Sequence, residues 1–234
     1  MESYDQDRDD VVRASIDAGL RYMLTVGTEE KYFSTVVKLL DKYPAIYGAI
    51  GIHPHNSSEL NSDTISNIKD CARHEKIVGY GEVGLDFFKD YSPREIQIRA
   101  FREQLGLAEE LHLPIIVHSR NAAEETVQIL NDAYRQGNGV IHCFSYDLDY
   151  AKRFLDMGFY ISIPGTVTYR NNDELTRVVK YIPEDRLLAE TDAPFLTPHP
   201  HRGKRNVPYF VKFTVDKIAQ IREKHVHETA VSIR

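Results

Sequence analysis

Short apolar runs recur along the chain at Tyr22 to Val26, Ile46 to Ile50, Ile77 to Gly81, Ile115 to His118, Val140 to His142, Phe159 to Ile163 and Leu187 to Glu190. None alternates cleanly between apolar and polar positions. Continuous apolar runs of this length predict parallel strands buried on both faces. The segments between them carry helical spacing and helical punctuation. Ser92, Pro93, Arg94 and Glu95 read as a capping box with proline at the first helical position. Behind them, Ile98, Phe101, Leu105 and Ala108 fall on one face, which is expected to pack on the sheet. A first helix is expected over Asp7 to Ala18, ended by Gly19, and Gly158 is placed to end another.

Strand, helix, strand units repeated in this way give either a doubly wound sheet or a closed barrel. The strand ends decide between them. Chemistry-bearing residues follow many different strands: His53 after the second, Glu82 and Asp86 after the third, His118 and Arg120 at the fourth, His142 at the fifth and Asp192 at the last. A doubly wound sheet would gather them at one crevice and would open on a Gly-rich phosphate loop, whereas here Val26, Gly27 and Thr28 lead into two glutamates. The expectation is therefore an α/β TIM-type (β/α)8 barrel with its first strand missing, since the chain opens in a helix. No linker, low-complexity tract or internal repeat interrupts the pattern. Residues 1–234 are read as a single barrel domain, truncated at both termini.

At the rim, His118 and His142 are candidate metal ligands because imidazole is the commonest metal-binding side chain, and two of them on neighbouring strands can face one ion. Glu82 and Asp192 add anionic oxygens. The competing reading pairs Glu82 with Arg120 and lets Asp192 cap the turn before Pro194, but it leaves their common position at strand ends unexplained. In GIHPH, His53 is expected to point at the same mouth and touch a substrate phosphate or a metal ligand, with a rim histidine bonded to a backbone carbonyl as the competing reading, while Pro54 turns the chain and leaves His55 facing solvent. Gly79, Gly81 and Gly84 allow close backbone approach around Glu82, and Asp86 is close enough to orient a ligand. Arg120 is a candidate phosphate clamp, because guanidinium matches phosphate oxygens bidentately, with a surface role as its competitor. Cys143, beside His142, is expected to pack as a small apolar group.

Composition limits the partners. The 234 residues carry 29 Lys and Arg against 35 Asp and Glu, a formal net charge of −6, so the global field repels polyanions and any nucleic-acid contact must be local. The dense basic stretch is His201, Arg202, Gly203, Lys204 and Arg205; such a run is most often a solvated loop, but its place after ETDAP favours function, with Lys204 and Arg205 as candidate substrate contacts. Two cysteines make no disulfide framework, the opening residues are acidic and polar, and no apolar stretch reaches the ~18 residues of a membrane span. A cytoplasmic protein without membrane association or an obligate protein partner is expected.

The chain carries GIHPH, GEVGLD, VHSR, IHCFS, ETDAP and PHRGKRNVP in that order over positions 51 to 208. In these motifs it resembles the TatD family of metal-dependent deoxyribonucleases. The resemblance implies a TIM-type barrel that hydrolyses phosphodiesters of DNA, single-stranded by preference. It also implies Glu82, His118, His142 and Asp192 as metal ligands, with His53 near the scissile phosphate. The family's opening strand with His-x-His and its closing segment have no counterpart here, and Val207 stands where glutamate is common. One or two divalent ions are expected: Mg²⁺ or Mn²⁺ suits the carboxylates, while the histidines favour Zn²⁺. The expected reaction is attack by metal-activated water, with Glu82, Asp192 and His53 as catalytic residues. Two alternatives stay open: an amidohydrolase-type enzyme cleaving C–N bonds on the same barrel, and a catalytically impaired scaffold.

Overall fold

The computed structural model describes residues 2–233. Along the chain come α1 (Arg8–Asp17), β1 (Met23–Gly27), α2 (Glu30–Lys42), β2 (Ile46–Ile50), α3 (Ser62–Cys71), β3 (Ile77–Asp86), α4 (Arg94–Glu110), β4 (Ile115–Arg120), α5 (Ala123–Ala133) and β5 (Gly139–Ile141). There follow α6 (Leu148–Asp156), β6 (Tyr160–Ile163), α7 (Asp173–Tyr181), β7 (Leu187–Ala189), α8 (Val211–Arg222) and α9 (Val226–Ser232). All seven expected strands are present, displaced by a residue or two except at β3, which runs on from Gly81 to Asp86. Among the described residues, no helix is long and apolar enough to cross a membrane.

The chain forms two compact units. One spans Tyr22–His142. Its strands lie in the order β1, β2, β3, β4, β5, every neighbouring pair parallel, each joined to the next by a crossover that carries a helix. Both faces are apolar: Ile50, Tyr80, Val83, Leu85, Ile115 and Val117 are buried, and α2 sets Phe33, Val36 and Leu40 against β1 and β2 at helical spacing. On α4, Phe101, Leu105 and Ala108 are buried as expected, while Ile98 is half-buried. The capping box is not formed. The Ser92 hydroxyl donates instead to the His55 carbonyl (2.9 Å), and α4 begins without a side-chain cap. A working cap sits on α3, where the Asn61 carboxamide oxygen accepts from the N–H groups of Asp63 and Thr64 (2.9 and 3.1 Å).

The other unit comprises residues 2–21 and 143–233. In it β6 and β7 run parallel, and α1 ends at Gly19, whose φ of +98° supplies the left-handed turn expected there. The segment after β7 is anchored by buried Asn206. Its amide N–H donates to the Pro194 carbonyl (3.0 Å), its side chain to the Phe195 carbonyl (2.7 Å), and its own carbonyl accepts from the Tyr4 hydroxyl (2.6 Å).

Candidate metal centre

The centre lies within Tyr22–His142 and is built by successive strands of its sheet. Glu82 does not end a strand. It is the extra residue of a bulge, because Gly81 pairs with Ile116 and Val83 with Val117, which leaves Glu82 without a partner in the ladder. The bulge turns its carboxylate aside while Val83 and Leu85 keep their places in the core. Glycine is required on both sides of it. At Gly84 (φ +142°) a Cβ would sit 1.9 Å from the His118 carbonyl oxygen, and at Gly81 (φ +153°) 2.6 Å from that of Ile116. The same closeness that excludes side chains there brings β3 against the strand carrying His118.

Around Glu82 the imidazoles gather. Glu82 Oε1 is 2.7 Å from His118 Nδ1 and 3.8 Å from both His53 Nε2 and His142 Nε2. His142 is placed directly after β5, its N–H bonded to the Val117 carbonyl (2.9 Å). Asp86, buried at 1% side-chain exposure, meets the far side of the His118 ring, Oδ2 to Nε2 at 3.1 Å. The same oxygen lies 2.9 Å from His55 Nε2, so His55 faces the carboxylate rather than solvent, against expectation. Pro54 does turn the chain, but the turn folds the ring back over the cluster, 4.4 Å from that of His53.

Electrostatics follow from this geometry. Burial opposes charge on His118, yet the hydrogen-bonded carboxylates of Asp86 and Glu82 outweigh it and raise its pKa to about 9, so the ring is an imidazolium at neutral pH. Glu82 and Asp86 are held far below the ordinary carboxylate range although burial pushes the other way. For Glu82 the charge of His142 and the hydrogen bond from His118 prevail, and for Asp86 the bonds from His118, the Lys89 amide and His55. His53 goes in the other direction: burial lowers it to about 3, leaving it neutral. Its Nδ1 accepts from the His55 N–H (3.1 Å), which puts the remaining hydrogen on Nε2, facing Glu82.

This donor set fits a divalent ion. Asp86 keeps the hydrogen on Nε2 of His118, so Nδ1 offers its lone pair once a cation displaces the proton beside Glu82. Among the described residues the ligand atoms of His53, Glu82 and His118 lie within 4.8 Å of one another, a spacing that could hold an ion, and His142, 3.8 Å from Glu82, is a further candidate donor. In the tautomer set by the His55 N–H, Nε2 of His53 carries a hydrogen and faces Glu82.

Two residues that the sequence reading missed hold the frame. Gln104 grips the backbone of Ile52, accepting from its N–H (2.8 Å) and donating to its carbonyl (3.0 Å), one residue before His53. Gln97 does the same at Asp86, accepting from its N–H (2.8 Å) and donating to its carbonyl (3.1 Å). Both are fully buried on α4. Two glutamines seven residues apart in an otherwise apolar stripe were the available signal.

The remaining candidates are placed as follows. Arg120 does not pair with Glu82; its guanidinium lies 4.0 Å over the ring of Phe88. Asp192, Lys204 and Arg205 belong to the other unit. There Asp192 is half-buried in the segment following β7, and Lys204 is exposed. Arg205 is bonded bidentately to Asp7, with Nη1 to Oδ1 at 2.9 Å, and it also donates to the Ser3 carbonyl. Its expected freedom to meet substrate is therefore curtailed, since that carboxylate already holds the fork. Cys143 is half-buried rather than packed in the core, and its N–H donates to Glu190 (3.1 Å).

A parallel α/β fold with imidazoles and carboxylates converging beyond its strands defines the class of divalent-metal hydrolases of TIM-barrel type. The chain belongs to the TatD-related DNase family, whose model matches residues 1–234. It is 40% identical over 230 residues to the uncharacterized metal-dependent hydrolase YabD of Bacillus subtilis, covering 98% of this chain and 90% of YabD. To the 3'-5' ssDNA/RNA exonuclease TatD of Salmonella typhimurium it is 36% identical over 221 residues, covering 92% of this chain and 85% of that protein. The crystal structure of YJJV, a TatD homologue of Escherichia coli, superposes with a TM-score of 0.92 at 29% identity, over 98% of this chain and 90% of YJJV. The fold class and the family expected from the motifs are thereby borne out.

Proposed function

We propose that the protein is a metal-dependent deoxyribonuclease that hydrolyses phosphodiester bonds of single-stranded DNA. The observation that carries the reading is the meeting of Glu82, His118 and His142 from three stretches of chain, with Asp86 fixing the far nitrogen of His118. Family membership and the printed activity of the Salmonella relative support a nucleic acid as substrate. A divalent ion, which Glu82, His118 and His142 would hold, would supply Lewis acidity toward the phosphoryl oxygens and acidify water.

The chain's own groups perform the rest. His53, kept neutral by burial, donates its Nε2 hydrogen to a phosphoryl oxygen and so helps to orient the scissile group. Asp86 holds His118 in one tautomer and ring orientation. Glu82, kept ionised by its histidine neighbours, retains its negative charge throughout. For Asp192, which belongs to the other unit, the ETDAP motif alone supports a role as ligand or base. Exposed Lys204 is a candidate phosphate contact, Arg120 keeps its charge over Phe88, and Arg205 has the weaker claim because Asp7 already pairs with it.

Glu82→Ala tests this reading. The variant is expected to lose divalent-ion-dependent cleavage of a single-stranded oligonucleotide by on the order of a thousandfold or more, with its far-UV circular dichroism unchanged. Retained cleavage in a folded variant refutes the assignment. Running cyclic amides beside DNA separates the reading from an amidohydrolase.

A further inference from the structure

Between Asp86 and α4 the chain runs Phe87, Phe88, Lys89, Asp90, Tyr91, and it leaves two large rings in solvent. Phe88 is 52% exposed and Tyr91 69%, while Phe87 is buried. The exposure is not a frayed loop. The N–H groups of Phe88 and Lys89 both donate to Asp86 Oδ1 (3.0 and 2.8 Å), and that of Phe87 donates to the Arg120 carbonyl (2.9 Å). The carboxylate that orients His118 thus also fixes this segment. Tyr91 packs edge-on against His55, with ring centres 4.8 Å apart and planes at 83°. Cations lie alongside: the Arg120 guanidinium 4.0 Å over Phe88, and Lys89 Nζ 5.6 Å from the Phe88 centroid and 6.0 Å from that of Tyr91.

We infer that Phe88 and Tyr91, with Lys89 and Arg120, form a stacking shelf for unpaired nucleobases beside the metal centre. This rests on the proposed nuclease reading and names how that site selects its substrate. Flat rings presented to water beside positive charges match a single strand, whose bases offer π faces and whose phosphates need cations. A duplex keeps those faces stacked internally. The continuity of the shelf with the cluster, through Asp86 and through the contact of Tyr91 with His55, places stacked bases next to the bond to be cut.

The test is binding of a short fluorescent single-stranded oligonucleotide, measured by anisotropy in excess EDTA so that no turnover occurs. An abasic strand of equal length and the matching duplex serve as controls. The wild type is expected to bind the normal strand more tightly than either control. Phe88→Ala and Tyr91→Ala are each expected to weaken binding of the normal strand by roughly 5- to 100-fold while leaving the abasic strand unaffected, and Phe88→Trp retains it. Equal wild-type affinity for normal and abasic strands, no binding at all, or unchanged affinity in both alanine variants overturns the shelf. So does a concentration-dependent dimer that Phe88→Ala abolishes without changing DNA binding. Cleavage by the wild type with Mn²⁺ is measured separately. Cleavage without base-dependent binding removes the shelf alone, whereas base-dependent binding without cleavage removes the hydrolase reading alone.

Discussion

The histidine cluster of Tyr22–His142 and the basic segment of residues 201–205 were the two chemically loaded regions of the sequence, and the structure treats them differently. In the cluster, polar atoms answer one another inside a frame of backbone clamps: Gln104 on Ile52, Gln97 on Asp86, and a bulge that fits only because Gly84 has no side chain. In the basic segment each charge has a local fate. Arg205 is tied to Asp7, Arg202 lies 4.5 Å over the ring of Tyr169, and Lys204 is exposed. The difference teaches that density of charge in a sequence is a poor guide to a site, whereas chemistry placed on strands that the core must position is a good one.

The contrast is sharpest at two glycines. Gly84→Ala forces a Cβ into the His118 carbonyl at a φ of +142°, so it is expected to cost roughly 3 kcal/mol or more in urea denaturation. Gly203→Ala also sits at positive φ, +87°, but its Cβ meets open space, and a cost of about 1 kcal/mol is expected. Equal costs would mean that β3 does not approach β4 as closely as described.

The coupling inside the cluster is tested by protons. His118 titrates near 9 rather than 6.5, so in the ion-free protein its contribution to stability is complete below about 6.5 and is lost as pH rises through about 9. A divalent ion has to displace that proton. Its affinity is expected to rise with pH up to about 9, with close to one proton released per ion near pH 7, measurable by calorimetry in buffers of different ionisation enthalpy. Asp86→Asn should reduce both the proton release and, by roughly 10- to 100-fold, the affinity for the ion. Unchanged values in that variant would deny Asp86 its orienting role.

The smallest effects belong to the basic segment. Lys204→Ala is expected to lower the salt-dependence slope of single-stranded DNA binding by about 0.7, whereas Arg205→Ala should leave it nearly unchanged because Asp7 already neutralises that guanidinium. A flattened slope in Arg205→Ala would show that the pair with Asp7 opens for substrate.

Much of this was legible beforehand. The strands were readable because burial on both faces leaves continuous apolar runs, and His53, His118 and His142 were readable because they directly continue such runs. The bulge at Glu82 was not, since a bulge changes register without changing the apolar pattern. The contact of His55 with Asp86 depended on how the chain folds back after Pro54, which spacing does not encode. Ser92 carried every local mark of a cap yet bonds to the His55 carbonyl, a tertiary partner outweighing a local propensity. Gln97 and Gln104 escaped notice because a buried glutamine looks like noise until the backbone it holds is known.

The most direct measurement is anomalous diffraction from crystals grown with Mn²⁺. The account predicts a strong peak bounded by Glu82, Nδ1 of His118 and His142, with Asp86 still on the far nitrogen of His118. A crystal with full-occupancy Mn²⁺ elsewhere and none among those three side chains would contradict it.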